Sequence, residues 1–172
     1  KCFCPNLGAY RQVVKVVTIN ILFEMEKWAQ RRELLVEGLA AQQADLIGLQ
    51  EVKLPEDNSA WLAQQLNMPY VQLVPYKQLD DKGLPYYGGA ILSRYPFTQQ
   101  DSLDLQTQGR VAQYVQVEVD GCTQEIKFLT NRAGKPDFVV LGERNKVLSC
   151  VYCSSSSETL ITGNKVFNCP LS

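Results

Sequence analysis

A chain of 172 residues, 45% apolar and 20% charged, fits one globular domain and excludes a disordered or low-complexity protein. Lys and Arg number 17 against 18 Asp and Glu, which excludes the whole-molecule positive field that drives salt-dependent binding to long nucleic acid. No run of about 18 or more apolar residues occurs, which excludes an ordinary membrane-spanning helix, so a soluble chain is expected, with the cytoplasm as the favoured location.

Lys1 to Tyr10 lack the apolar run of a secretory signal, and this start predicts processing or a fragment boundary upstream. Val13 to Leu22, VVKVVTINIL, is a β-branched run of the kind that forms a buried strand. From about Glu26 to Gln43, Trp28, Leu35 and Leu39 recur at helical spacing among charged residues, which predicts an amphipathic helix. The run LIGLQEV after Asp45 is a second strand, so strand, helix, strand forms a crossover unit with neighbouring strands. Asn58 or Ser59 is placed to cap a short helix carrying Trp61, Leu62 and Leu66, and Met68 to Val74 has the spacing of another strand.

A loop rich in Asp, Lys, Gly and Pro leads to Gly88-Gly89, which opens the strand GGAILSRYP that Pro96 closes. Val111 to Val119 alternates, with Val111, Val115, Val117 and Val119 on one face, and Asp120-Gly121 supplies a hairpin signal into Thr123 to Leu129. Beyond Leu129 the pattern weakens: Phe138 to Leu141 is a short apolar run, Ser154 to Ser157 is a serine tract, and the end shows little periodicity. Strands with interposed helices predict a mixed α/β or α+β sheet sandwich, and the fold class expected is α+β, a mixed β-sheet sandwich flanked by helices. The division expected is 1–129 as the folded N-terminal part and 130–172 as an atypical C-terminal segment.

Asn20 and Glu51 end the first and second strands, and a parallel pairing brings both side chains to one edge. An amide and a carboxylate there suit a hard divalent cation, because magnesium takes oxygen ligands, keeps several waters and needs one or two protein carboxylates. Each residue also has a plainer reading, as a turn-forming asparagine and a solvated glutamate. Arg110 and Arg132 are candidates to fork onto a phosphate, although a solvated arginine is the commoner case. Cys150 and Cys153 with Cys169, joined by Cys2 and Cys4, supply enough thiolates for zinc, but the spacing fits no standard ribbon and no histidine completes it. With Cys122 alone in the hairpin, disulfides or incidental thiols are the favoured reading.

In order, VVTINIL, WAQRRELLVEGLAAQQADLIGLQEV and YYGGAILSRYP resemble the opening strands and helix of the endonuclease/exonuclease/phosphatase family over about residues 13–119. The resemblance implies a four-layer αββα fold, here incomplete, and a phosphoesterase that hydrolyses a phosphodiester or phosphomonoester with Mg2+ or Mn2+. It implies that Glu51 is the metal-binding glutamate of the Gln-Glu motif, and that Asn20 helps hold the ion, the substrate phosphate or the nucleophilic water. Tyr86 or Tyr87 falls where some relatives use an aromatic near the phosphate, while packing on the sheet edge is the commoner role of a tyrosine. Ser93 and Arg94 fall in a segment with a structural role, Arg94 pairing an acidic neighbour.

The later motifs depart from the family pattern. Phe128 to Arg132 stands where an Asn-Thr-His segment is expected, and Gly142-Glu143-Arg144-Asn145 where Gly-Asp-x-Asn is expected. Glu143 and Asn145 are then the stand-ins for the second acid and amide, with the carboxylate displaced by roughly an ångström, which matters at about 10²-fold in rate. The closing Ser-Asp-His segment has no counterpart, and the chain holds no histidine, so help of about 10²–10⁴-fold is missing from catalysis. The alternative expectation is a non-catalytic, truncated relative that at most binds a metal or a partner. Half a sandwich exposes apolar surface, so self-association through the open sheet is expected.

Overall fold

The computed structural model describes residues 14–77, 79–105 and 111–119, and the strand backbones of 122–130, 136–142, 146–147, 160–162 and 165–167. In chain order the elements are β1 (Val16–Asn20), α1 (Trp28–Gln42), β2 (Leu46–Lys53), α2 (Asn58–Gln65), β3 (Tyr70–Pro75), β4 (Tyr87–Ser93) and β5 (Phe97–Asp104). These are followed by β6 (Val111–Val119), β7 (Cys122–Thr130), β8 (Pro136–Gly142), β9 (Lys146–Val147), β10 (Leu160–Thr162) and β11 (Lys165–Phe167).

β1 and β2 pair in parallel, Val16 opposite Leu46 and Asn20 opposite Gln50, as a crossover through α1 requires. β4 then lies antiparallel to β2 and β3 antiparallel to β4, giving the order β1-β2-β4-β3. The second sheet is an antiparallel run, β5-β6-β7-β8-β9, and β10 pairs with β11 as a separate ribbon. The fold class is therefore α+β, with two main sheets, a two-stranded ribbon and two helices among the described residues.

The two sheets share one core. Val115, Val117 and Val119 of β6 are buried in the same cluster as Val16, Ile47, Leu62 and Ile91. Gln113, on that inward face of β6, donates to the carbonyl of Gln72 on β3 at 3.3 Å, and Gln72 donates to the carbonyl of Asp101 on β5 at 3.0 Å. β4 sits at the closest approach. A Cβ on Gly88 would stand 2.5 Å from the Val74 carbonyl oxygen, and one on Gly89 would stand 2.6 Å from Gln113 Oε1 and 2.8 Å from the Tyr76 hydroxyl. These glycines serve packing between strands and between sheets.

The helices cover the other face of the first sheet. α1 buries Leu39 and packs Trp28, Leu35 and Val36 against the core, with Trp28 meeting Trp61 of α2 edge-on at 6.3 Å between ring centroids. α2 is capped by Asp57, whose carboxylate accepts from the Ala60 N–H at 3.3 Å. Asn58 and Ser59 are instead buried inside the first turn, and Asn58 Oδ1 accepts from the Lys53 N–H at 3.1 Å. The β5 strand, FTQQDSLD, carries no apolar alternation and is exposed over most of its length, which is why its sequence gives no strand signal. No helix among the described residues is long and apolar enough to cross a membrane.

Candidate active site

The C-terminal ends of β1 and β2 form the edge at which the first sheet presents polar side chains. In an undisturbed strand successive residues point to opposite faces. Gln50 and Val52 are both buried, and between them Glu51 is extra: Gln50 pairs with Gly89 and Val52 with Gly88. Glu51 adopts φ +60°. This bulge turns the carboxylate out of the pleat and toward β1, the re-aiming that bulges produce.

Glu51 Oε1 accepts a hydrogen bond from Asn20 Nδ2 at 2.7 Å. Asn20 Oδ1 accepts from the Leu22 N–H at 2.9 Å, a turn that fixes which end of the amide faces the carboxylate. The second carboxylate oxygen, Oε2, lies 3.4 Å from the Phe23 N–H, which donates to it. Beneath the pair, buried Gln50 donates to Thr18 Oγ1 at 2.9 Å and ties the two strands together. A left-handed conformation costs a non-glycine residue roughly 1–2 kcal/mol, and such cost persists where a site over-determines the backbone.

The loop from Ile21 to Lys27 closes the edge on one side. Phe23 stacks on Tyr87 with centroids 5.1 Å apart and meets Tyr86 edge-on at 5.4 Å. Tyr86 and Tyr87 also touch each other, at 4.5 Å. Tyr86 is thus half-buried in an aromatic wall, in ring contact with Phe23, the residue whose N–H meets Glu51. Arg31 of α1 donates to the carbonyl oxygens of Ile21, at 3.1 Å, and of Leu22, at 3.4 Å, and makes a short bond to that of Glu24.

Of the residues singled out in the sequence, the fold brings together Asn20, Glu51 and the Tyr86–Tyr87 pair. Arg110, Arg132, Glu143 and Asn145 lie outside the described residues, as do Cys2, Cys4, Cys150, Cys153 and Cys169. Ser93 is fully buried and bonds both the carbonyl and the N–H of Tyr95, a turn-forming role. The ion pairs among the described residues join Arg32 to Glu33 and Lys77 to Asp104; Arg94 is exposed and donates through its backbone to Asp45. Arg31 and Phe23 were not legible as site residues. The arginine reads as ordinary helix-surface charge, and Phe23 enters through its backbone N–H, which carries no side-chain signature.

Among the described residues no group of three or more His, Cys, Asp or Glu is gathered to hold a metal. One carboxylate held beside an amide fits magnesium, which keeps most of its waters. It does not fit a closed zinc site, which needs four protein ligands. A shallow depression of about 530 Å³, lined by Ala60, Ala63, Asn67 and Met68 among others, lies by the start of β3. It sits at the opposite end of the sheet from Glu51, since Tyr70 pairs with Ser93 and Ser93 with Leu46.

The sequence profile of the Endonuclease/Exonuclease/phosphatase family matches residues 17–143. The chain belongs to that family. Solved structures share the fold. A family protein from Leptotrichia buccalis C-1013-b is 20% identical, with a TM-score of 0.52 over 64% of this chain and 50% of that one. D. rerio TDP2 complexed with single strand DNA product is 19% identical, with a TM-score of 0.53 over 65% of this chain and 43% of that one. A humanized D. rerio TDP2 gives 19% and 0.50, over 64% and 44% of the two chains. The chain therefore spans about half the length, or less, of these family members. No curated protein matches it significantly by sequence.

Proposed function

We propose that the chain carries the metal-binding front of a phosphoesterase that hydrolyses a phosphodiester or phosphomonoester, with Mg2+ or Mn2+ held at Glu51. The observation that carries this reading is the bulge at Glu51, a left-handed residue whose carboxylate is aimed at the Asn20 amide, 2.7 Å away. Membership of the family supports it. A divalent ion bound there supplies Lewis acidity toward a phosphoryl oxygen and offsets charge developing on it.

The chain's own residues divide the work. Glu51 supplies the anionic oxygen, Asn20 holds that carboxylate through Nδ2, and the Leu22 N–H keeps the amide from flipping. With its remaining acceptor capacity Asn20 Oδ1 is available to the ion, a water or the phosphate. Glu143 and Asn145 take the part of the second acid and amide, Arg110 forks onto the phosphate, and Tyr86 borders the substrate. On this reading 1–129 is the family's N-terminal part, and 130–172 sets how much activity survives. The substrate is compact: a formal charge of −1 does not attract a long polyanion. The fold shared with a TDP2 solved with a single-strand DNA product makes short single-stranded ends one candidate class.

A second reading, metal or partner binding without turnover, is favoured by one observation: the sequence holds no histidine to act as acid or base at the phosphoryl group. Hydrolysis of bis(p-nitrophenyl) phosphate and p-nitrophenyl phosphate by the full chain, with Mg2+ or Mn2+ and with chelator, separates the two. Metal-dependent release supports the esterase. Equal rates with and without metal, alongside measurable Mn2+ binding, support the second reading.

A further inference from the structure

Arg31 projects from the first turn of α1 back over the loop that joins β1 to that helix. Its guanidinium donates to the carbonyls of Ile21, Leu22 and Glu24, and it lies 5.8 Å from the Trp28 ring centroid. Three carbonyls of one short loop thus converge on one cation. The same loop supplies the two N–H groups that reach the candidate site, Leu22 to Asn20 and Phe23 to Glu51. Leu22 itself is left-handed, φ +59°, a conformation that an exposed leucine does not hold unaided.

We propose that Arg31 is a positioning residue, which fastens the β1–α1 loop through its carbonyls so that the N–H groups of Leu22 and Phe23 face Asn20 and Glu51. A loop of this length without the clamp samples conformations in which those N–H groups turn to water. Asn20 and Glu51 would then keep their mutual bond but lose the two backbone donors that set their rotamers. The planar fork explains the residue type: a guanidinium presents five donors in a fixed arrangement, whereas an ammonium is a compact point charge. Arg32, the next residue, is placed differently. It lies over the Trp61 ring at 4.7 Å and pairs with Glu33, so the two arginines of the WAQRRELL segment have separate tasks. The consequence for cation binding rests on the metal reading of Glu51; the fastening of the loop does not.

The test compares the full chain with Arg31→Met, Arg31→Lys and, as a control, Arg32→Met, using residue-resolved amide exchange and Mn2+ titration. In Arg31→Met the Leu22 and Phe23 amides are expected to exchange about tenfold faster or more, because bonds donated by a charged group are removed and the loop opens locally. Amides of Leu49 and Ile91 in the sheet should keep their protection, and Mn2+ affinity should fall about tenfold, within the range seen for outer-shell groups at metal sites. Arg32→Met should leave both readouts at their wild-type values. Unchanged exchange at Leu22 and Phe23 in Arg31→Met overturns the proposal. If Arg31→Met does not fold, Arg31→Lys decides in its place: it keeps the charge and loses the fork, so faster exchange at the same two amides is again required. Should the wild type bind no Mn2+ while these amides respond, the positioning role stands and the metal reading of Glu51 fails.

Discussion

Replacing Glu51 with glutamine separates the electrostatics of the site from its packing. The wild-type carboxylate accepts from Asn20 Nδ2 at 2.7 Å and from the Phe23 N–H at 3.4 Å. Glutamine keeps one acceptor oxygen, so one donor retains a neutral partner and the other meets an NH2 group. Hydrogen bonds to charged groups contribute about 1.5–3 kcal/mol and neutral ones about 0.5–1.5, and the longer bond is weak, so the loss of stability should be about 1–2 kcal/mol. For a chain of this size that is a fall of roughly 2–8 °C in melting temperature. Cation binding should suffer far more, because the variant deletes the only carboxylate that the described site presents. A loss of about 100-fold, or about 2.7 kcal/mol, is expected in an Mg2+ or Mn2+ titration followed by calorimetry. Unchanged affinity in a variant that melts cooperatively would refute the assignment of Glu51. A fall in melting temperature well beyond 10 °C with metal binding retained would instead make it a structural residue.

Backbone strain at the same position offers an independent check: Glu51→Gly and Glu51→Ala lose the same hydrogen bonds, but only glycine adopts φ +60° without steric cost, so the glycine variant should be the more stable by about 1 kcal/mol in urea denaturation. Gly88→Ala should destabilise by about 2–3 kcal/mol, because its Cβ meets the Val74 carbonyl of a neighbouring strand, whereas Gly89→Ala meets side-chain ends of Gln113 and Tyr76 and should lose less; the order of the two urea midpoints tests this. Asp57→Ala should cost about 1 kcal/mol as a lost helix cap, and Asp57→Gly less, since Asp57 sits at φ +49° and glycine tolerates it; thermal melts of the pair decide.

How much of this was legible beforehand follows from what each feature depends on. β1, α1, β2, β4 and the β6–β7 hairpin announce themselves through local periodicity and turn residues, and each is found where its pattern lies. Val111, Val115, Val117 and Val119 are all buried, as their alternation predicts. A parallel β1–β2 pairing follows from the crossover, and with it the arrival of Asn20 and Glu51 at one edge. The capping of α2 by Asp57, one residue before the predicted candidates, turns on a backbone angle that the residue types leave open. β5 was missed because an exposed strand gains its hydrogen bonds from β6 without burying a face, so its composition is under no apolar constraint.

The sequence by itself determined the strands and helices that bury a face, β5 excepted, which faces are apolar, and that a carboxylate and an amide end neighbouring strands, because these depend on contacts within a few residues along the chain. Only the tertiary structure decided how that pair is aimed. The bulge at Glu51 answers to the register of β2 against β4, and the clamp of Arg31 answers to where α1 passes over the loop. The first is set by a strand distant in sequence, the second by how the chain turns between β1 and α1, and no helical or strand period encodes a distance between elements that meet only after folding.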